Sequence, residues 1–299
     1  MDFYLSRKSV WSEHVDARIL PLFEGQTPKG PAKLSAALDA AQKRKVFAAK
    51  KGQVFETESN ILVGLGARDS FKPPQLLRAI GAAYPALKRL AAQKAAVDLS
   101  GFDATAVDFA TQGLLDAAYC FDEFKSEKTP DALKSVVLVS EAASAPHAMA
   151  RAQIIASAVR LCRDLDNQPA NIASPQYMAA AARKLSQGTR LSCTVLDEKQ
   201  LAKKGFKAHL AVGQGSQNPP RLVILEYRGG KKTDPWLAFV GKGITFDTGG
   251  ISIKPSADMD KMKFDKSGAC AVLSAMSALS KLGVKRNVVG IAAFAENMP

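Results

Sequence analysis

The sequence predicts an α/β protein, and three observations predict it. Short apolar runs alternate along the chain with longer stretches of helical periodicity. The 299 residues are enough for about two domains. With 47% hydrophobic and 23% charged residues, the chain can bury sizeable cores.

The elements follow in order. Residues 16–23 (DARILPLF) and 60–66 (NILVGLG) read as short buried strands. Residues 73–95 read as a helix that a proline pair opens and Pro85 interrupts. A strand at 95–100, an apolar-periodic helix at 104–121 and a strand at 135–141 complete a first domain over 1–145. Residues 147–165 carry a long helical pattern that stops before Asn167 and Pro169, and this helix bridges the domains within 146–166.

In the second domain, 167–299, the helix at 174–188 has Ser174 as N-cap, Pro175 in its first turn and Gly188 past its end. Strands follow at 190–197, 220–228 and 236–242, the last continuously apolar as fully buried strands are. A helix at 266–283 ends at Gly283, and 286–296 is a further buried strand.

Composition excludes several classes. No run reaches the ~18 apolar residues of a membrane span. The first residues, MDFYLSRKSVWSEH, carry Arg7 and Lys8 where a signal peptide needs an apolar core, so a cytosolic protein is expected. Cys120, Cys162, Cys193 and Cys270 form no C-x-x-C pair and read as structural thiols. His14, His147 and His209 are scattered, which argues against a histidine-rich zinc site and a Ser-His-Asp triad. The net charge of +13 divides into +2 over residues 1–145 and +11 over 146–299. That excess is spread over loops such as AKKGFK and RGGKK, with no basic arm and no aromatic-interleaved platform, so nucleic acid is not the expected partner.

The chemistry concentrates in residues 240–270, VGKGITFDTGGISIKPSADMDKMKFDKSGAC. Lys242 and Asp247 flank the end of an apolar strand, where open α/β sheets place their sites. Asp265 precedes the next helix and can turn back to the same crevice. Charged groups there are costly unless they bind something. A phosphate loop fails the pattern, because Trp236 stands where its first glycine is required and Gly243 follows Lys242. No G-x-G-x-x-G opens a helix, so a dinucleotide fingerprint fails as well. Two readings stay open: a carboxylate-rich divalent metal site built on Asp247 and Asp265, or lysine–aspartate pairing in a loop.

The same stretch strongly resembles the core of the leucine aminopeptidase family, two-metal cytosolic exopeptidases. The likeness extends to RDLDNQPANIASP (163–175), VGQGSQNPPRLVILEY (212–227) and AENMP (295–299), and more weakly to the family's N-terminal domain. The resemblance implies an N-terminal α/β domain with a mixed sheet and a three-layer α/β/α catalytic domain. It implies that Lys242, Asp247 and Asp265 are metal ligands for two divalent ions, manganese or zinc, with Asp247 bridging them. It implies that Lys254 is the catalytic lysine polarising the scissile carbonyl and that Met262 lines the pocket for the substrate's first side chain. The implied activity is release of N-terminal amino acids from peptides, with a leucine-type preference, by a cytoplasmic homo-hexamer.

Three departures from the family pattern stand out. Thr248 replaces the commoner serine. Lys266 stands where methionine is frequent, adding a charge beside the site. The family's Asn-Thr-Asp-Ala-Glu-Gly-Arg segment, which supplies further ligands, has no counterpart here. The expectation is therefore a chain truncated before the second half of its catalytic domain, with strand 286–296 left uncovered. The rival expectation is a non-catalytic fragment or binding protein without a complete metal site.

Overall fold

The computed structural model describes residues 1–299 except Lys29 and Thr129. The chain divides into two compact units, Met1–Ala156 and Ser157–Pro299. In the first unit, β1 (Asp2–Ser6) precedes β2 (Ala17–Phe23), α1 (Ala32–Lys43), β3 (Val54–Glu56) and β4 (Asn60–Gly66). Then come α2 (Gln75–Ala82), α3 (Tyr84–Arg89), β5 (Lys94–Asp98), α4 (Ala104–Ala117), β6 (Ser135–Val139) and the start of α5 (Ala145–Asn167). The strands lie in the order β1-β6-β5-β2-β4-β3, parallel except for β3, which runs antiparallel to β4.

Alternation along the strands explains the layering. Ile19, Ile61, Val63, Val97, Val136 and Leu138 face a core shared with α2, α3 and α4. Their neighbours Leu20, Leu22, Leu62, Ala96, Val137 and Val139 pack on the opposite face with Leu34 and Leu38 of α1. The helix expected over 73–95 is two helices, α2 and α3, because Pro85 supplies no amide and sits in the first turn of a new helix. The short strand β1, the helix α1 and the edge strand β3 carry weak patterns and were not expected from the sequence.

The second unit contains α6 (Pro175–Ser186), β7 (Leu191–Leu196), α7 (Glu198–Lys203), α8 (Lys207–Val212), β8 (Arg221–Arg228), β9 (Trp236–Asp247), α9 (Ser267–Leu282) and β10 (Asn287–Asn297). A 3-10 helix, Met259–Lys266, leads into α9. Its sheet is mixed, in the order β7-β8-β10-β9: β10 is antiparallel to β8 and parallel to β9. Helices α6 and α9 cover one face around Met178, Leu225, Leu273, Met276 and Phe294. On the other face, Leu201 of α7 and Leu210 of α8 pack with Leu196, Leu222 and Ile291. No helix among the described residues is long and apolar enough to cross a membrane.

Two expectations are corrected here. The strand expected to stop at residue 242 runs on to Asp247, so Lys242 lies mid-strand opposite Ala293, and only Asp247 stands at the end. The expected uncovered strand, β10, lies between β8 and β9, and its residues are buried or half-buried. Exposed apolar side chains lie instead on the edge strand β9, at Trp236, Leu237 and Val240, and in the loop that follows it, at Ile251 and Ile253, with Val240 at 72% exposure.

Close packing of β9 on α9 rests on glycine. A Cβ at Gly241 would meet the Gly268 carbonyl oxygen at 2.4 Å, so strand and helix meet backbone to backbone. Gly241→Ala is expected to lower stability by about 1–3 kcal/mol in urea unfolding, because the clash is with main chain. Val240→Lys, in the middle of the exposed edge, should reduce self-association in sedimentation velocity. Unchanged association would show that the edge is inert.

Candidate metal centre

The site is assembled where β9 ends and the 3-10 helix packs beside it. After a register shift near Ala295, Asp247 lies opposite Asn297, and the two strands end together. The Thr248 amide and hydroxyl both donate to the Asn297 carbonyl, at 3.0 and 2.9 Å. The Thr248 carbonyl accepts from the Lys254 amide at 2.8 Å, closing loop 248–254. Gly249 adopts φ +91°, and a Cβ there would lie 2.4 Å from the Ser252 carbonyl oxygen, so the loop requires glycine.

That loop returns the Lys254 ammonium to Asp247, with Nζ 2.6 Å from Oδ2. The same nitrogen lies 3.1 Å from Sδ of Met262. Asp247 Oδ1 accepts from the Gly249 amide at 3.0 Å and from Nδ2 of Asn297 at 2.6 Å. Partial burial pushes the Asp247 carboxyl up, but the hydrogen bonds from Lys254, Gly249 and Asn297 and the lysine charge outweigh it and hold the carboxyl down to about 2. Asp247 is therefore a firm carboxylate.

The second pair joins β9 to the 3-10 helix. Lys242 Nζ lies 2.7 Å from each oxygen of Asp265 and donates to Oδ1. Oδ2 of Asp265 is buried and has no hydrogen-bond partner besides this ammonium. Hard anionic oxygens of this kind suit divalent cations, and an oxygen held by a single withdrawable lysine fits one. The donor set is nonetheless small. Among the described residues, no group of three or more His, Cys, Asp or Glu side chains comes together.

The structure thus pairs Lys242 with Asp265 and Lys254 with Asp247, and the second pair also touches Met262. The surrounding lysines do not crowd the centre as free charges. Lys261 pairs with Asp258 at 2.8 Å, and Lys263 stacks over Phe264. Lys266, expected as an added charge beside the site, is fully buried and turned onto main-chain carbonyls. Thr248 keeps a hydroxyl in the role that closes the loop. His209 is packed, its Nε2 3.0 Å from the Phe294 carbonyl oxygen, and all four cysteines are free thiols.

Sequence reasoning missed three supporting residues. Asn297 orients Asp247, and its signal was present in AENMP, a motif quoted without a role. Ser267 donates to the Asp166 carboxylate, its Oγ 2.9 and 2.7 Å from the two oxygens. Burial raises the Asp166 carboxyl, and that hydroxyl together with Lys266 and Lys263 partly offsets the rise. No periodicity marks such contacts, since they join residues about a hundred positions apart.

Comparison with known proteins bears on the identity of this centre. A model of the cytosol aminopeptidase family's catalytic domain matches residues 160–299, and one of the same family's N-terminal domain matches residues 19–128. The chain belongs to the cytosol aminopeptidase family. A probable cytosol aminopeptidase of Azotobacter vinelandii is 42% identical over 282 residues, covering 88% of this chain and 57% of that protein. The bottromycin maturation enzyme BotP, solved in complex with Mn, has a TM-score of 0.80 at 32% identity, over 95% of this chain and 60% of its own. A mutant of tomato leucine aminopeptidase has a TM-score of 0.84 at 27% identity, over all of this chain and 63% of its own. The chain thus spans about three-fifths of the length of these three proteins.

Gly249→Ala should unseat Lys254 from Asp247 at a cost of about 1–3 kcal/mol, because both the backbone angle and the Ser252 carbonyl oppose a Cβ. The checks are urea unfolding and amide exchange across 248–254. Wild-type behaviour in both would contradict the loop's dependence on glycine.

Proposed function

We propose that this chain forms one wall of a two-metal aminopeptidase centre that releases N-terminal amino acids from peptides with a leucine-type preference. One observation carries the reading: β9 carries two lysine–aspartate pairs, Lys242 with Asp265 and Asp247 with Lys254, and Lys254 Nζ also contacts the Met262 sulfur. Family membership supports it, as does the manganese bound to the structural relative BotP.

In this reading Asp247 and Asp265 provide anionic oxygens, and Lys242 a neutral amine, once the present ion pairs give way. The divalent ions, manganese or zinc, would supply the Lewis acidity that activates water for attack on a peptide carbonyl. Lys254, kept charged, donates to the carbonyl oxygen as negative charge develops there. Its contact with Met262 places that charge beside an apolar side chain suited to the substrate's first residue. Peptides with a free N-terminus are the substrates, the active assembly is a homo-hexamer, and the location is the cytosol.

A second reading has one observation of its own. The site gathers only two carboxylates among the described residues, a weak counterweight to four positive charges. On that basis the chain alone binds metal weakly and is a non-catalytic fragment or binding protein.

The experiment loads the protein with Mn2+ or Zn2+, measures bound metal, and assays leucine amide hydrolysis. Metal-dependent turnover, lowered ~10²–10³-fold in Lys254→Ala with metal content retained, supports the aminopeptidase reading. Metal binding without turnover favours the second reading, and failure to bind either metal overturns the metal centre. Loss of metal in Lys254→Ala would make Lys254 a ligand.

A further inference from the structure

Lys266 is 0% exposed, and lysines are almost never fully buried without compensation. An ammonium carries three donors, and here each has an acceptor. Nζ lies 2.9 Å from the Asp166 carbonyl oxygen, 3.0 Å from that of Gln168 and 2.6 Å from that of Lys263. The hydrogen bonds thus go to main chain, while the nearby Asp166 carboxylate is held by Ser267. Burial lowers the affinity of Lys266 for its proton, the expected direction for a cation removed from water.

The positions of these carbonyls matter more than their number. Asp166 lies in the last turn of α5 and Gln168 just beyond it, where a helix leaves carbonyls unsatisfied and presents the negative end of its dipole. Lys263 belongs to the 3-10 helix Met259–Lys266. A single nitrogen therefore ties the end of a 23-residue helix to the short segment that carries Met262 and Asp265. A 3-10 helix of 8 residues has poor internal hydrogen-bond geometry and needs such outside support.

We infer that Lys266 is a positioning residue: its ammonium, capping α5 and gripping the Lys263 carbonyl, holds Met262 and Asp265 in place before metal or substrate arrives. An apolar side chain at this position fills the space but leaves three carbonyls without their donor. The anchoring is a property of the metal-free chain. Its effect on metal binding rests on the proposed role of Asp265 as ligand.

The test compares wild type with Lys266→Met and Lys266→Gln. Met removes every donor, and Gln keeps two N–H groups on a side chain of similar reach. Amide exchange in metal-free protein is the deciding measurement. Lys266→Met should speed exchange across 259–266 about tenfold or more while β8 and β10 keep their protection, with Gln intermediate. Mn2+ affinity by calorimetry should fall about tenfold in Lys266→Met. Unchanged exchange across 259–266 overturns the inference. So does equal loosening of β8 and β10, or unfolding of both variants, since Lys266 would then support the whole unit. If wild type binds no Mn2+, the metal reading fails, and the exchange comparison still decides the role of Lys266.

Discussion

The centre in the second unit depends on how closely β9 and α9 approach. Because Gly241 and Gly268 bring strand and helix together without side chains between them, the 3-10 helix leading into α9 must end beside the strand. Asp265 is then within reach of Lys242, although 23 residues separate them in sequence. A Cβ at Gly241 would push α9 outward and move Asp265 with it. The loop 248–254 adds the second pair in the same way, turning on Gly249 so that Lys254 returns to Asp247.

Both pairs are short and oppositely charged, yet their settings differ. Asp247 is fixed from three sides by Lys254, Gly249 and Asn297, whereas Asp265 is paired with Lys242 alone. The first is a carboxylate already solvated by several protein groups, and the second depends on one lysine. Lys242 is largely exposed and can leave with little loss, while Lys254 is more enclosed. This asymmetry suits a site in which one lysine yields to an incoming cation and the other keeps its charge.

Much of this was legible in the chain. Buried strands such as β2, β4 and β6 announce themselves by β-branched and aliphatic runs between turn residues, and the structure divides their alternating side chains between two cores. The capped helix α6 was readable from Ser174 and Pro175, because capping is a local interaction. The end of β9 was misread for a physical reason. Its glycines at 241 and 243 look like a turn, but Gly241 leaves room for α9 and Gly243 chiefly for β10. Exposure of the wrong strand was predicted because an apolar run does not reveal its place in the sheet order. The inward turn of Lys266 was also hidden, since its acceptors are carbonyls, which every residue carries.

Strand order has a consequence for the way the second unit comes into being. β10 follows β8 and β9 in sequence and lies between them in the sheet. Among the described residues β9 pairs only with β10, so β8 and β9 are not joined until Asn287–Asn297 has been made. The first unit needs nothing beyond the opening of α5, so it can consolidate during synthesis. The second unit joins β8 to β9 only through this later strand, and contacts so distant in sequence form slowly and leave apolar edges in water until they do.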